Sequence, residues 1–303
     1  MPDFKIGERG EELITYLREH FGGFFDLVQR VMTDLLRLTY EVLAALQPLA
    51  MIAILVAVAL LATRRVGVTA VLAVGLLLIE SMDLWFDTME SMATVLVATA
   101  VALAVGIPIG IWAAFNSVVR AVVTPLLDFM QTIPVFVYLL PTVLFFGIGP
   151  VPGVIATIVF AAPPAVRLTQ LGIRQVDAET VEASIAFGAS RWEVLREVQL
   201  PLAKATIMAG VNQVIMLALS MVVVAGLVGG GGLGSIVVNA VQSLQIGASI
   251  EGGLAVVILA MYLDRVSAAL GGQGRGNPAW WPRRRAAAAV EIAQAETREP
   301  VAA

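Results

Sequence analysis

Cysteine is absent from this 303-residue chain, so no disulfide framework, thiolate nucleophile or zinc–thiolate site can form. A single histidine, His20, sits near the N-terminus. His-pair metal sites and Ser-His-Asp catalysis inside the apolar region are thereby excluded. Lysine is nearly as scarce: neither Lys5 nor Lys204 follows a glycine, and a G-x-x-x-x-G-K-[ST] phosphate loop cannot be written. Charge is thin, at 14% of residues where soluble domains carry about 25%. The net charge of −4 argues against nucleic acid as a partner. What fills the chain is hydrophobic: 59% of residues, with a mean hydropathy of +0.89. Such runs exposed to water would far exceed ordinary apolar patches, and the composition is that of an all-α, polytopic membrane protein.

A helix needs about 20 apolar residues to cross a hydrocarbon core. Uncharged runs cover 42–63, 66–79, 91–119, 129–166, 205–250 and 252–263. The fourth is too long for one helix and is split by Gly147, Gly149, Pro150, Pro152 and Gly153. The fifth breaks at Gly229–Gly232, and its remainder carries Asn239, Gln242 and Gln245, which predicts an interfacial or re-entrant helix. The count is about seven transmembrane helices.

Charge placement agrees with that count. If the spans alternate, the segments at Arg64/Arg65, at Arg120, at Arg167–Lys204 and after Leu263 share one side. They hold every basic residue beyond residue 43. The opposite loops carry Glu80, Asp83, Asp87, Glu90 and Glu251. By the positive-inside rule the basic side is cytoplasmic, which places the N-terminus outside and the C-terminus inside. Residues 1–43 have helical apolar spacing between charges, and predict an amphipathic extracytoplasmic tail with a break at Gly22-Gly23. The apolar transmembrane domain spans 44–270. Residues 271–303 are expected to be a mobile cytoplasmic tail, with Arg283-Arg284-Arg285 read as a stop-transfer anchor on an anionic leaflet.

Nothing in the chain supplies energy for moving a solute. Glu80, Asp128 and Asp264 fall near predicted interfaces, so no mid-membrane acid suggests proton coupling. The informative segment is the cytoplasmic loop 174–204. Asp177 can cap one short helix, Gly188 supplies a left-handed stop, and Ser190 with Glu193 forms a capping box for a second. Pro201 disfavours helix just before it. Val181, Ile185, Phe187, Trp192 and Leu195 are its apolar anchors. The result is either a self-packed loop or a docking helix for a partner's groove.

Within that loop, Glu182-Ala183-Ser184, Gly188 and Val198-x-Leu200-Pro201 resemble the EAA motif of ATP-binding cassette importer permeases. Ser184 replaces the second alanine and Val198 an isoleucine. The resemblance runs over residues 40–270. Asp128-Phe-Met-Gln131-Thr132-Ile-Pro134, Pro163-Pro164-Ala-Val-Arg167-Leu-Thr169, Gly210-Val-Asn212-Gln213 and Gly231-Gly-Leu-Gly234 are similar to the glycine betaine, proline betaine and choline branch. It implies a type I importer permease fold and a coupling role for Glu182, Ala183, Ser184, Gly188, Leu200 and Pro201. The subunit itself would be no enzyme, with no cofactor or metal of its own. ATP and Mg would be bound by a separate ATP-binding subunit. Further partners would be an extracytoplasmic substrate-binding protein, a second copy of the chain and the lipid membrane.

Gln131, Asn212 and Gln213 are polar groups in or at the ends of spans. Either they hold helices together or they line a translocation path. Gly231, Gly232 and Gly234 form either a flexible turn or an outer gate in which backbones approach closely. Tyr138, Trp112 and Phe136 could offer aromatic faces to a quaternary ammonium, or simply pack. Alternatives to the osmoprotectant reading are a permease for another small polar or cationic solute and, in a different class, a membrane scaffold or sensor.

Overall fold

The computed structural model describes residues 6–271, and among them every regular element is helical. The tail carrying Arg283–Arg285 lies outside the described residues. Eleven helices follow one another: α1 Ile6–Ala44, α2 Pro48–Thr63, α3 Val66–Ser81, α4 Trp85–Phe115, α5 Ser117–Thr132, α6 Val135–Phe146, α7 Pro150–Arg174, α8 Ala178–Ala186, α9 Arg191–Gly226, α10 Gly232–Gln242 and α11 Ile246–Leu270.

Local chemistry sets most of these boundaries. Pro48 and Pro150 occupy first-turn positions, where a missing N–H costs nothing. The Asn116 side chain accepts from the N–H groups of Val118 and Val119 and opens α5. Gly147 ends α6 at φ +77. The single helical departure inside α1 falls at Phe21, one residue before the glycine pair expected to break it.

Four helices, α4, α7, α9 and α11, are long and apolar enough to cross a membrane, and the number rises to six if each bent pair is one span. The seven-span expectation differs from this for identifiable reasons. The run from Phe129 breaks at Ile133-Pro134, and α5 and α6 meet at 96°. Its first half belongs to a helix that starts at Ser117, just after the Asn116 cap, and so takes in Arg120 and Asp128. Helices α2 and α3 have 16 residues each, about 24 Å, short of a ~30 Å hydrocarbon core. As expected, α10 is short, and Asn239, Gln242 and Gln245 stay exposed around its C-terminal end.

Helix α7 packs between α4 and α9. Small residues make this possible, since in lipid helix contact rests on close van der Waals fit. A Cβ at Gly110 would stand 2.7 Å from the Val166 carbonyl oxygen. The largest apolar cluster joins α2, α3, α4, α9, α10 and α11 around Trp85, Leu76, Leu259 and Leu233, and Tyr262 donates to the Leu55 carbonyl at 3.0 Å. Far from lying only on a membrane surface, α1 buries Met32 and Leu36 against α4 and α7. Its Phe25 stacks on Phe145 at 4.3 Å.

The contacts sort the molecule into two ends. At one, Gly149 N–H bonds Val228 O at 2.9 Å and Gln29 reaches Phe146 O at 3.3 Å. Asp87 and Glu90 lie at this end, at the start of α4. At the other, Ile173, Leu195 and Ala203 pack together beside Ile111 and Ala114. This end gathers Arg174, Arg191, Arg196 and Lys204.

Candidate functional site

Two assemblies concentrate the residues singled out in the sequence, one at each end. At the basic end, Asp177 caps α8 by accepting from the Glu179 N–H at 3.0 Å. Gly188 adopts φ +92 between α8 and α9, a conformation that penalises any residue with a Cβ. The capping box forms in full: Ser190 N–H donates to Glu193 at 2.7 Å, and the Ser190 hydroxyl oxygen accepts from the Glu193 N–H at 3.4 Å. Glu182 and Ala183 are exposed on α8, while the Ser184 hydroxyl donates to the Thr180 carbonyl at 2.8 Å.

The expected break before Pro201 is absent. Helix α9 continues through Leu200 and Pro201, because residues Val194–Gln199 adopt π-helical bonding. The Leu200 N–H reaches Leu195 O, five residues back. Widening the turn just before Pro201 accommodates a residue that lacks an N–H and crowds the preceding turn.

The apolar anchors divide sharply. Leu195 is 5% exposed, locked beneath α7 with Ile173 and Ala203. Phe187, by contrast, is 94% exposed, Trp192 65% and Ile185 52%. A self-packed loop would have buried them. Three large apolar side chains around a glycine turn stand free in the single chain.

At the opposite end, the tetraglycine turn is packed rather than loose. Gly231 has φ +73, and a Cβ on it would collide with the Glu90 carboxylate. Gly232 N–H donates to Glu90 Oε2 at 2.7 Å, and Leu233 N–H donates to Ser91 Oγ at 2.8 Å. A Cβ on Gly234 would strike the Val222 carbonyl. The side chains of α4 thus satisfy the free N–H groups at the start of α10. Glu90 escaped the sequence reading, which treated it as one of several outer-loop acids. Its signal was positional: a carboxylate in the first turns of an apolar helix, unsupported by nearby basic residues.

The polar path candidates stand apart from one another in environment. Gln131 and Gln213 are exposed, and Asn212 is half-buried. Asn212 Oδ1 is shielded from solvent and has no hydrogen-bond partner within the chain, as is the case for the Tyr138 hydroxyl. Trp112 and Phe136 are both exposed. Arg167, expected at the start of the cytoplasmic loop, instead lies inside α7 and pairs with Asp128 of α5 at 2.5 Å. Among the described residues no three His, Asp or Glu side chains group to hold a metal ion.

Residues 106–271 match the family described as "Binding-protein-dependent transport system inner membrane component". The match covers more than half of the chain and includes the α8–α9 turn and the glycine turn. This chain belongs to that family. It is 43% identical over 267 residues to the glycine betaine transport system permease protein OpuAB of Bacillus subtilis, covering 88% of this chain and 94% of the relative. It is 45% identical over 272 residues to the glycine betaine/carnitine transport permease protein GbuB of Listeria monocytogenes, covering 89% and 96%. Among solved structures, an inward-facing MetNI methionine ABC transporter chain superposes with a TM-score of 0.57 at 21% identity, over 64% of this chain and 96% of that one. That likeness establishes the type I permease fold. The protein is therefore a multi-pass inner-membrane transport subunit.

Proposed function

We propose that this chain is the permease subunit of an ATP-driven importer for a quaternary-ammonium osmoprotectant of the glycine betaine, proline betaine and choline kind. The observation that carries the reading is the near full-length identity, above 40%, to permeases named for glycine betaine. ATP is bound and hydrolysed by a separate subunit, which docks on the α8–α9 turn. Exposed Phe187, Trp192 and Ile185 support this role, since they offer the apolar anchors that a groove on a partner would cover. Glu182, Ala183, Ser184 and Gly188 shape that knob, and Leu200 and Pro201 join it to the membrane part of α9. Because α9 is one continuous helix, displacement of the knob is passed directly to Asn212 and Gln213, about three turns beyond Pro201.

Gln131, Asn212 and Gln213 line the path between two copies of the chain. The unpartnered Asn212 oxygen supports this, because a buried polar group in a membrane protein is costly without water or a partner. Gly231, Gly232 and Gly234 form the outer gate, held by Glu90. Selection among solutes falls mostly to an extracytoplasmic binding protein. Methylated ammonium groups donate no hydrogen bonds and are recognised by aromatic cages. Among the described residues the ring pairs lie instead in α1 and α6.

The test is reconstitution of the permease with its ATPase and binding protein. Glycine betaine with binding protein should stimulate ATP hydrolysis, and free betaine at the same concentration should do little. Failure of betaine, proline betaine and choline alike to stimulate would remove the osmoprotectant assignment. Failure of any ATPase subunit to co-purify would leave a scaffold or sensor.

A further inference from the structure

The Asp128–Arg167 ion pair joins the interiors of α5 and α7 and is open to the outside of the single chain. Asp128 is 58% and Arg167 41% exposed at the side chain. Along the helix, Asp128 lies about 16 Å from the start of α5 and Arg167 about 10 Å from the end of α7. Charges at such depth do not face hydrocarbon; they face a bundle interior or water. The surroundings favour water. Arg120, Thr124, Asp128 and Gln131 recur every three or four residues and therefore form one polar stripe on α5. Thr124, Asp128 and Gln131 are exposed, while Leu127 is buried. Val118, Val122, Leu126 and Phe129 are exposed on the opposite face of α5. The α5–α6 pair is also bent by 96° at Ile133-Pro134, just beyond the ion pair.

We infer that the Asp128–Arg167 pair lines the inner half of the translocation path and latches the broken α5–α6 span onto α7. The paired charges present a neutral wall to a zwitterionic or cationic solute, and the latch fixes the bend through which the path narrows. This rests on the permease reading above but not on the identity of the solute. A face covered by a second copy is the competing arrangement, and it would shut water out.

The absence of cysteine makes the test direct. Thr124→Cys and Val122→Cys differ by about 200° around α5 and are both exposed in the single chain. The intact transporter in inside-out vesicles is treated with a membrane-impermeant maleimide. Cys at 124 should react roughly tenfold faster or more than Cys at 122, because a thiol must reach water to ionise. Equal rates, or protection of both positions, would overturn the water-lined assignment. The latch is read separately by charge exchange. Asp128→Arg and Arg167→Asp should each cut substrate-stimulated ATPase about fivefold or more, and the double exchange should recover much of it. Each variant is first shown to co-purify with the ATPase subunit. Singles that remain fully coupled, or an assembled double no better than the singles, would dismiss the latch.

Discussion

Gly231 shows how much a single position decides. Its φ of +73 and the Glu90 carboxylate against it leave no room for a side chain. Gly231→Ala should cost roughly 1–3 kcal/mol in strain, before any displacement of Glu90. Thermal unfolding of the purified complex should show the loss, and uptake should fall with it. Glu90→Gln keeps an acceptor for the Gly232 N–H but removes the favourable charge at the α10 N-terminus, worth about 0.3–1 kcal/mol, so its effect should be smaller. An unchanged melting temperature and unchanged uptake for Gly231→Ala would contradict the packed-gate description. The glycine run was visible in the sequence. Its partner was not, because Glu90 lies 142 residues away and only folding joins the two.

At the scale of elements, the α8–α9 turn was the most legible part of the chain. Asp177, Gly188 and the Ser190–Glu193 box each act within three residues, so sequence spacing alone locates them. Pro201 was misleading for the opposite reason. Its local preference predicts a break, yet the helix widens to π geometry and carries on, with Leu195 and Gln199 buried beneath it. Tertiary burial outweighed local propensity there. Phe187→Ser with Trp192→Ser should leave membrane insertion unchanged, since both side chains are exposed in the single chain, but should weaken association with the ATPase subunit. Gly188→Val should do likewise by straining the positive-φ turn. Co-purification measures both, and full retention of the ATPase by either variant would dismiss the docking surface.

At the scale of the molecule, the two ends of the bundle differ in charge. The acidic end holds Asp87 and Glu90 beside the loops at 147–149 and 227–231, and the basic end holds Arg174, Arg191, Arg196 and Lys204. By the positive-inside rule the basic end is expected in the cytoplasm. Reporters inserted at Asp83, Gly149 and Gln245 should read outside, and reporters at Asn116 and Gly188 inside. These positions fall between helices, where an insertion does least harm. A cytoplasmic signal at Gln245 would reverse α11 and with it the orientation of the C-terminus.

Composition and hydropathy settled by themselves that this is a helical membrane protein without cysteine chemistry or a phosphate loop, because those properties depend on which residues are present. Short-range spacing settled the knob between α8 and α9, because caps and left-handed turns act over three or four residues. Three things were decided only by tertiary structure. Glu90 meets Gly232, Asp128 meets Arg167, and Pro201 is carried within a continuous helix. Each depends on groups brought together across helices, or on burial that local preference cannot anticipate. The span count belongs with them, since the uncharged stretch from Phe129 to Phe146 reads as one span, whereas in the structure α5 and α6 meet within it at 96°.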